Sequence, residues 1–227
     1  PDLFLDNIRN AIKAENPEAF LLGEVWEDAT NKISYGARRR FLRGGQLDSV
    51  MNYPFANAIV DFVKGDSGKR LLNTVLDITE NYPPQALRLL MNHIGTHDTA
   101  RILTRLGSNE LYENDREAQS KAKLSVEEKE MGIRLLKLAA VLQYTLPGVP
   151  SLYYGDEAGL EGHKDPFCRL PYPWGKEDCN LVEFYKALGQ FRRNARALED
   201  GFFYSTSSGP EHIAYLRICD SEQVLVA

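Results

Sequence analysis

Short apolar runs alternate with helix-patterned segments along most of this chain, and that alternation constrains the fold more than any other feature. Leu5, Ile8 and Ile12 share a helical face ahead of Pro17, after which Phe20 to Val25 reads as a strand. Leu47 to Met51, Asn92 to Thr96 and Val149 to Tyr154 are further strand-like runs. Between them the periodicity predicts helices from about Phe55 to Val63, from Gly68 to Thr79 and from Pro83-Pro84 through Met91. Ser125-Val126-Glu127-Glu128 is a capping box, and Ile133, Leu136, Leu138, Ala140 and Leu142 behind it are too apolar for an exposed helix. Asn180 with Glu183 marks the start of a last helix reaching about Leu198. Strands joined through helices pair in parallel, so this part reads as α/β with a parallel sheet. From Phe202 the pattern changes to strand-like runs at Phe202–Thr206, His212–Ile218 and Gln223–Val226, separated by hairpin residues. A boundary near Glu199–Gly201 therefore divides an α/β unit over 1–198 from the first strands of an all-β unit over 199–227.

A 227-residue chain with 43% hydrophobic and 10% aromatic residues can fill a core. Thirty-two acidic against 27 basic residues, net −5 with no basic block, exclude nucleic acid and an anionic membrane as partners. No apolar run approaches the ~20 residues of a membrane span, and no charged-then-apolar leader opens the chain, which predicts a soluble cytoplasmic protein. Cys168, Cys179 and Cys219 are odd in number and irregularly spaced, fitting free thiols in a reducing compartment better than a disulfide framework or a zinc site. His93, His163 and His212 are scattered, so no metal and no cofactor are expected. The lack of a glycine-rich phosphate loop disfavours a nucleotide-binding α/β domain. Pro1 in place of Met, and an end inside the β-like run Gln223 to Ala227, make both termini look cut, so the chain reads as a fragment.

Chemistry concentrates after the strands. Ile94-Gly95-Thr96-His97-Asp98-Thr99-Ala100-Arg101 sets a His-Asp pair behind an apolar run, and Ala19-Phe20-Leu21-Leu22 runs likewise into Gly23-Glu24-Val25-Trp26. In parallel β/α architectures such junctions carry the active site, and two strand-end carboxylates suggest hydrolysis of glycosidic bonds. Each has a plainer reading: Glu24 as a solvated loop acid, Asp98 as a cap on a helical turn from Thr99 to Leu103. With Trp26 as an apolar wall, Glu24 reads as a general acid. Spacing alone would make Asp98 its nucleophilic partner.

From Leu21 to Arg169 the sequence resembles the α-amylase family of glycoside hydrolases, in its neopullulanase, cyclomaltodextrinase and maltogenic amylase branch. Leu22-Gly23-Glu24-Val25-Trp26 is similar to that family's fifth-strand motif, and Asp48-Ser49-Val50-Met51-Asn52-Tyr53-Pro54-Phe55 to the branch's sixth strand. Gly95-Thr96-His97-Asp98-Thr99 resembles the seventh-strand motif, and Tyr153-Tyr154-Gly155-Asp156-Glu157 with Gly159 the eighth. The resemblance implies strands five to eight of a (β/α)₈ TIM barrel followed by the start of a C-terminal β-sandwich domain. It makes Glu24 the proton donor and Asp98 a carboxylate that grips sugar hydroxyls rather than attacking, with His97 bonding the same sugar.

The family nucleophile, an Asp in an Arg-x-Asp motif on the fourth strand, has no counterpart here, so the chain alone is expected to be inactive. Asp165 and Arg169 in Gly162 to Arg169 resemble a pair that holds a sugar beyond the cleavage point, and read equally as a surface ion pair. Trp26, Tyr53 and Tyr154 are candidates for stacking on sugar faces or for packing, while Asp156 and Glu157 shape the strand end. The implied parent cleaves α-1,4 bonds of maltooligosaccharides, cyclodextrins or pullulan by retaining displacement. Alternatives are a non-catalytic carbohydrate-binding relative and a transglycosylase or α-1,6-glucosidase sibling. Open sheet edges would favour a homodimer or pairing with the other half of the barrel.

Overall fold

A computed structural model describes residues 2–227. Helix α1 (Asp2–Glu15) leads into β1 (Leu22–Gly23), the hairpin β2 (Ile33–Ser34) and β3 (Ala37–Arg38), and β4 (Ser49–Val50). Helices α2 (Tyr53–Val63), α3 (Gly68–Asn81) and α4 (Pro84–Arg88) precede β5 (Met91–Asn92). Then come α5 (Ile102–Gly107), α6 (Arg116–Lys121), α7 (Val126–Thr145), β6 (Val149–Pro150), α8 (Cys179–Asn194) and α9 (Arg196–Asp200). The chain closes on β7 (Phe202–Ser208), β8 (Ile213–Cys219) and β9 (Glu222–Val226).

β1 pairs in parallel with β4 and β5 with β6, while a parallel bridge between Met51 and Met91 joins β4 to β5. The order β1-β4-β5-β6 is the parallel sheet expected from the alternation of strands and helices. Its regular strands are only two residues long where the sequence suggests five or six, with single backbone bonds such as Met51 N to the Gly23 carbonyl and Ser151 N to the Asn92 carbonyl continuing the pairing at their ends. A buried polar clamp keeps the strands in place. Asn52 Nδ2 donates to Asn92 Oδ1 at 2.8 Å, Asn92 Nδ2 to the Pro147 carbonyl at 2.8 Å, and Gln143 Nε2 to the Asn92 and Ser151 carbonyls at 3.0 and 2.9 Å. Buried amides of this kind hold only when their partners are supplied, which fixes register as well as proximity.

The capping box of α7 forms in full, Glu128 N donating to Ser125 Oγ and Ser125 N to Glu128 Oε2. Its apolar character follows from its neighbours, since α7 packs against α5, α2 and α8 and buries Leu136, Ala139, Ala140 and Leu142. Other local expectations need correction. Asp98 caps no helix: α5 starts four residues later behind Arg101, with no side-chain cap. Asp178, not Asn180, caps α8 by accepting from Leu181 N, and that helix breaks at Ala195 before α9. The Arg-rich stretch after β1 holds an unforeseen hairpin whose turn residues Tyr35 and Gly36 both take positive φ, the geometry a two-residue turn requires. Its arginines serve the fold, Arg39 pairing with Asp2 at 3.0 Å and Arg40 with Asp6 at 2.8 Å, which ties down an α1 that buries no residue completely.

β7-β8-β9 form an antiparallel sheet that packs against α9 and α3 and bonds the C-terminal end of α7. Tyr215, fully buried, shares a 2.6 Å hydrogen bond with Thr145 Oγ1, and Arg217 donates to the Thr145 and Gly201 carbonyls at 2.8 and 2.9 Å. Burial pushes the Arg217 guanidinium down to about 10. Ile213 and Tyr215 thereby join the same apolar cluster as the helices. All three cysteines are free thiols.

Candidate active site

Glu24 stands one residue past β1, and the sequence returns to it through β4. The chain leaves β4 into Asn52, whose side chain caps α2 by accepting from Phe55 N, and this sets Tyr53 at the first position of that helix. Tyr53 is 2% exposed, and its hydroxyl donates to Glu24 Oε1 at 2.9 Å. The Trp26 ring stacks on Tyr53 at 4.1 Å and 15°, while His93, next after β5, meets Tyr53 edge-on at 4.5 Å. Tyr53 is therefore packed between Trp26 and His93 while it hydrogen-bonds the carboxylate, and little of it is exposed. Glu24 itself is exposed, so the Trp26 wall expected to enclose it serves Tyr53 instead, leaving the indole half-exposed.

His97 and Asp98 lie in the loop after β5, both solvent-accessible, with His97 Nε2 and Asp98 Oδ1 at 3.4 Å. The loop is held by local bonds, Asp98 N to Thr96 Oγ1 at 3.2 Å and Thr96 N to Thr99 Oγ1 at 3.3 Å. Tyr53 links the two strand ends. Burial and the Glu24 carboxylate push its phenol well above the ordinary range, and the Asp98 charge acts on it in the same direction. Glu24, held by the buried Tyr53, and the exposed His97–Asp98 pair thus both follow parallel strands at their C-terminal end, where barrel enzymes carry their chemistry.

The loop after β6 borders the same end. Cys168 Sγ donates to the His97 carbonyl at 3.2 Å, and Arg101 N donates to the Gly162 carbonyl at 2.8 Å. Asp165 and Arg169 form an exposed ion pair at 2.5 Å, and this contact holds the Arg169 guanidinium above its usual range. Tyr154 is partly exposed and donates its hydroxyl to the Leu170 carbonyl at 2.8 Å.

Sequence reasoning gave Asp156 a part in shaping the strand end and assigned no role to the buried Arg101 and His93. Arg101, with no exposed surface, lies over Tyr153 and Tyr154 at 4.2 and 4.5 Å, donates to the Tyr154 carbonyl and pairs with Asp156 at 3.3 Å. Burial pushes Asp156 up to about 7 against the opposing pull of Arg101. His93 is buried, and desolvation together with the nearby Arg105 charge lowers it to about 4. An Arg opening a helix carries no local sign that it is buried, whereas His93, between strand residues and Ile94, could have been read as facing the core. Among the described residues no cluster of His, Cys, Asp and Glu could hold a metal ion, and no helix is long and apolar enough to cross a membrane.

The family model described as alpha amylase, catalytic domain, matches residues 2–197. The chain belongs to the α-amylase family. Its parallel sheet is accordingly of the α/β-barrel type. Similar α-amylase-family proteins include an amylopullulanase of Thermoanaerobacter thermohydrosulfuricus, 38% identical over 210 residues that make up 87% of this chain and 13% of that protein. A cyclomaltodextrinase of a Bacillus species is 34% identical over 232 residues, 98% of this chain and 35% of its own length. A solved cyclomaltodextrinase structure superposes with a TM-score of 0.77 at 34% identity, covering 99% of this chain and 34% of that one. The chain thus spans about a third or less of the length of these α-amylase-family relatives.

Proposed function

We propose that this chain supplies strands five to eight of a retaining α-glucan hydrolase barrel, over residues 1–198, and the opening strands of a C-terminal β-sandwich, over 199–227. In this reading Glu24 protonates the glycosidic oxygen of an α-1,4 bond and afterwards, as a base, activates water. Asp98 and His97 grip hydroxyls of the sugar being cleaved, and Trp26 offers its exposed indole to a neighbouring ring. Arg169 and Asp165 hold a sugar farther along, exchanging their mutual contact for hydroxyl groups. The observation that supports the reading is that Glu24, hydrogen-bonded to the buried Tyr53, and the His97–Asp98 pair follow β1 and β5 of one parallel sheet, both at its C-terminal end. Substrates are maltooligosaccharides and related α-glucans, in keeping with the names of the relatives.

A retaining displacement also needs a carboxylate nucleophile, and no Asp here stands in an Arg-x-Asp context. The chain by itself therefore binds α-glucan without cleaving it, since loss of one member of a catalytic unit removes most of the rate. Calorimetric titration with maltohexaose and a reducing-sugar assay test both halves of the statement. Binding weakened by Asp98→Ala, without release of reducing ends, is the expected result. Sugar release abolished by Glu24→Gln would mean that the nucleophile lies within this chain, and no binding at all would remove the site.

A further inference from the structure

Trp174 is 82% exposed, an unusual position for an indole in a well-anchored segment. The segment holding it is fixed at both ends. Tyr154 donates to the Leu170 carbonyl at 2.8 Å at its start, and Asp178 N donates to the Ala158 carbonyl at 3.1 Å at its close. Pro171 and Pro173 stiffen it in between, and Trp174 N bonds back to the Tyr172 carbonyl at 3.0 Å. Tyr172 lies against the indole with ring centroids 4.5 Å apart and planes at 51°, which braces the Trp174 side chain and leaves the rest of its surface in water.

A rigid, supported and exposed aromatic ring is built to receive a flat apolar surface with polar edges, and its prior ordering lowers the entropy lost on binding. An α-linked glucose ring has that character, with C–H groups on its faces and hydroxyls around its rim. The segment follows directly on Asp165 and Arg169, and Cys168, two residues before it, bonds the His97 carbonyl, so the segment starts from the strand-end surface that carries His97. β1, which carries Glu24, and β6, from which this segment descends, are three interstrand steps apart, roughly 14 Å at strand level. A ligand spanning that separation between the strand ends is a chain of several sugar rings.

Resting on the proposed α-glucan reading, we infer that Trp174, braced by Tyr172, is a stacking platform for a glucosyl ring several units away from Glu24, and that it selects for long linear α-glucans over short ones. Neither ring takes part in the chemistry; their contribution is affinity for the distant end of the ligand.

The chain contains only two tryptophans, which permits a direct test. Trp26→Phe leaves Trp174 as the sole indole and Trp174→Phe leaves Trp26. The full 227-residue chain carrying either substitution is titrated with maltohexaose, with maltose as the short control, and followed by tryptophan emission. In Trp26→Phe the emission of Trp174 shifts and saturates with maltohexaose but not with maltose at equal ring concentration. Trp174→Ala weakens maltohexaose binding roughly five- to tenfold, as expected for loss of one aromatic contact, and leaves maltose affinity unchanged. A silent Trp174 beside a responsive Trp26 overturns this inference and leaves the active-site reading intact. Silence of both, with no heat of binding, overturns both. Emission from Trp174 that follows protein concentration without sugar identifies the surface as a contact between copies of the chain and also overturns the inference.

Discussion

The Tyr53 phenol donates to Glu24 across 2.9 Å while Trp26 covers one face of its ring, so a single buried side chain orients the acid and packs its surroundings. The two contributions separate by substitution. Tyr53→Phe keeps the ring and loses the hydrogen bond, at a cost of about 1 kcal/mol. Tyr53→Ala also removes the packing and costs about 3–5 kcal/mol. Urea unfolding of both variants checks the difference, and equal losses would show that the ring contributes nothing beyond its hydroxyl.

Arg101 and Asp156 make the corresponding connection behind the loops after β5 and β6, both side chains lacking solvent contact. Arg101 Nε and Nη2 and Asp156 Oδ2 have no partner, so the pair is incompletely compensated. Arg101→Met leaves a buried carboxyl without its cation and is expected to cost on the order of 3 kcal/mol. Adding Asp156→Asn recovers part of that loss, because the carboxyl no longer resists burial. A double-mutant cycle by chemical denaturation measures the coupling, and strict additivity would show that the pair is not energetically linked.

The parallel sheet and the helices were legible in the sequence because their signals are local: apolar runs for β1, β4, β5 and β6, and a capping box ahead of α7. The β2–β3 hairpin lay hidden because its turn is Tyr35-Gly36 and its strands are two residues each, too short for a period to register. Glu24, His97 and Asp98 could be singled out because each follows a strand. Tyr53 was harder to read, since its hydrogen bond joins residues 29 apart and only the folded chain shows that it is buried under Trp26. Arg101 and Asp156 are 55 residues apart, and the burial that makes them important is created by Tyr153 and Tyr154.

Glycines in the helices give opposite expectations. A Cβ at Gly107 in α5 would lie 2.5 Å from the Glu128 carbonyl of α7, so Gly107→Ala forces the helices apart and costs about 1–3 kcal/mol despite the better helix propensity of Ala. A Cβ at Gly189 in α8 meets nothing within 4 Å, and Gly189→Ala should stabilise the chain by about 0.5–1 kcal/mol. Thermal unfolding of the two variants should move Tm in opposite directions, and a shift of the same sign in both would contradict the close crossing of α5 and α7.

His93 makes the fold sensitive to acid. Desolvation beneath Tyr53, with the Arg105 charge nearby, lowers its pKa from 6.5 to about 4. Between these values the unfolded chain binds a proton that the folded chain refuses, so stability rises with pH through this window and is lost as pH falls from about 6.5 towards 4. The full span corresponds to on the order of 3 kcal/mol. Asp156 acts in the opposite sense. Its folded pKa is raised from 3.8 to about 7, so its contribution is present at low pH and disappears as pH rises across that interval. The two slopes partly cancel in the unmodified chain, which makes a single pH profile uninformative. Subtracting the profile of His93→Gln from that of the parent isolates the histidine. The difference in unfolding free energy should grow between pH 4 and 6.5 and then level off. A flat difference would mean that His93 accepts its proton as readily in the folded chain as in the unfolded one.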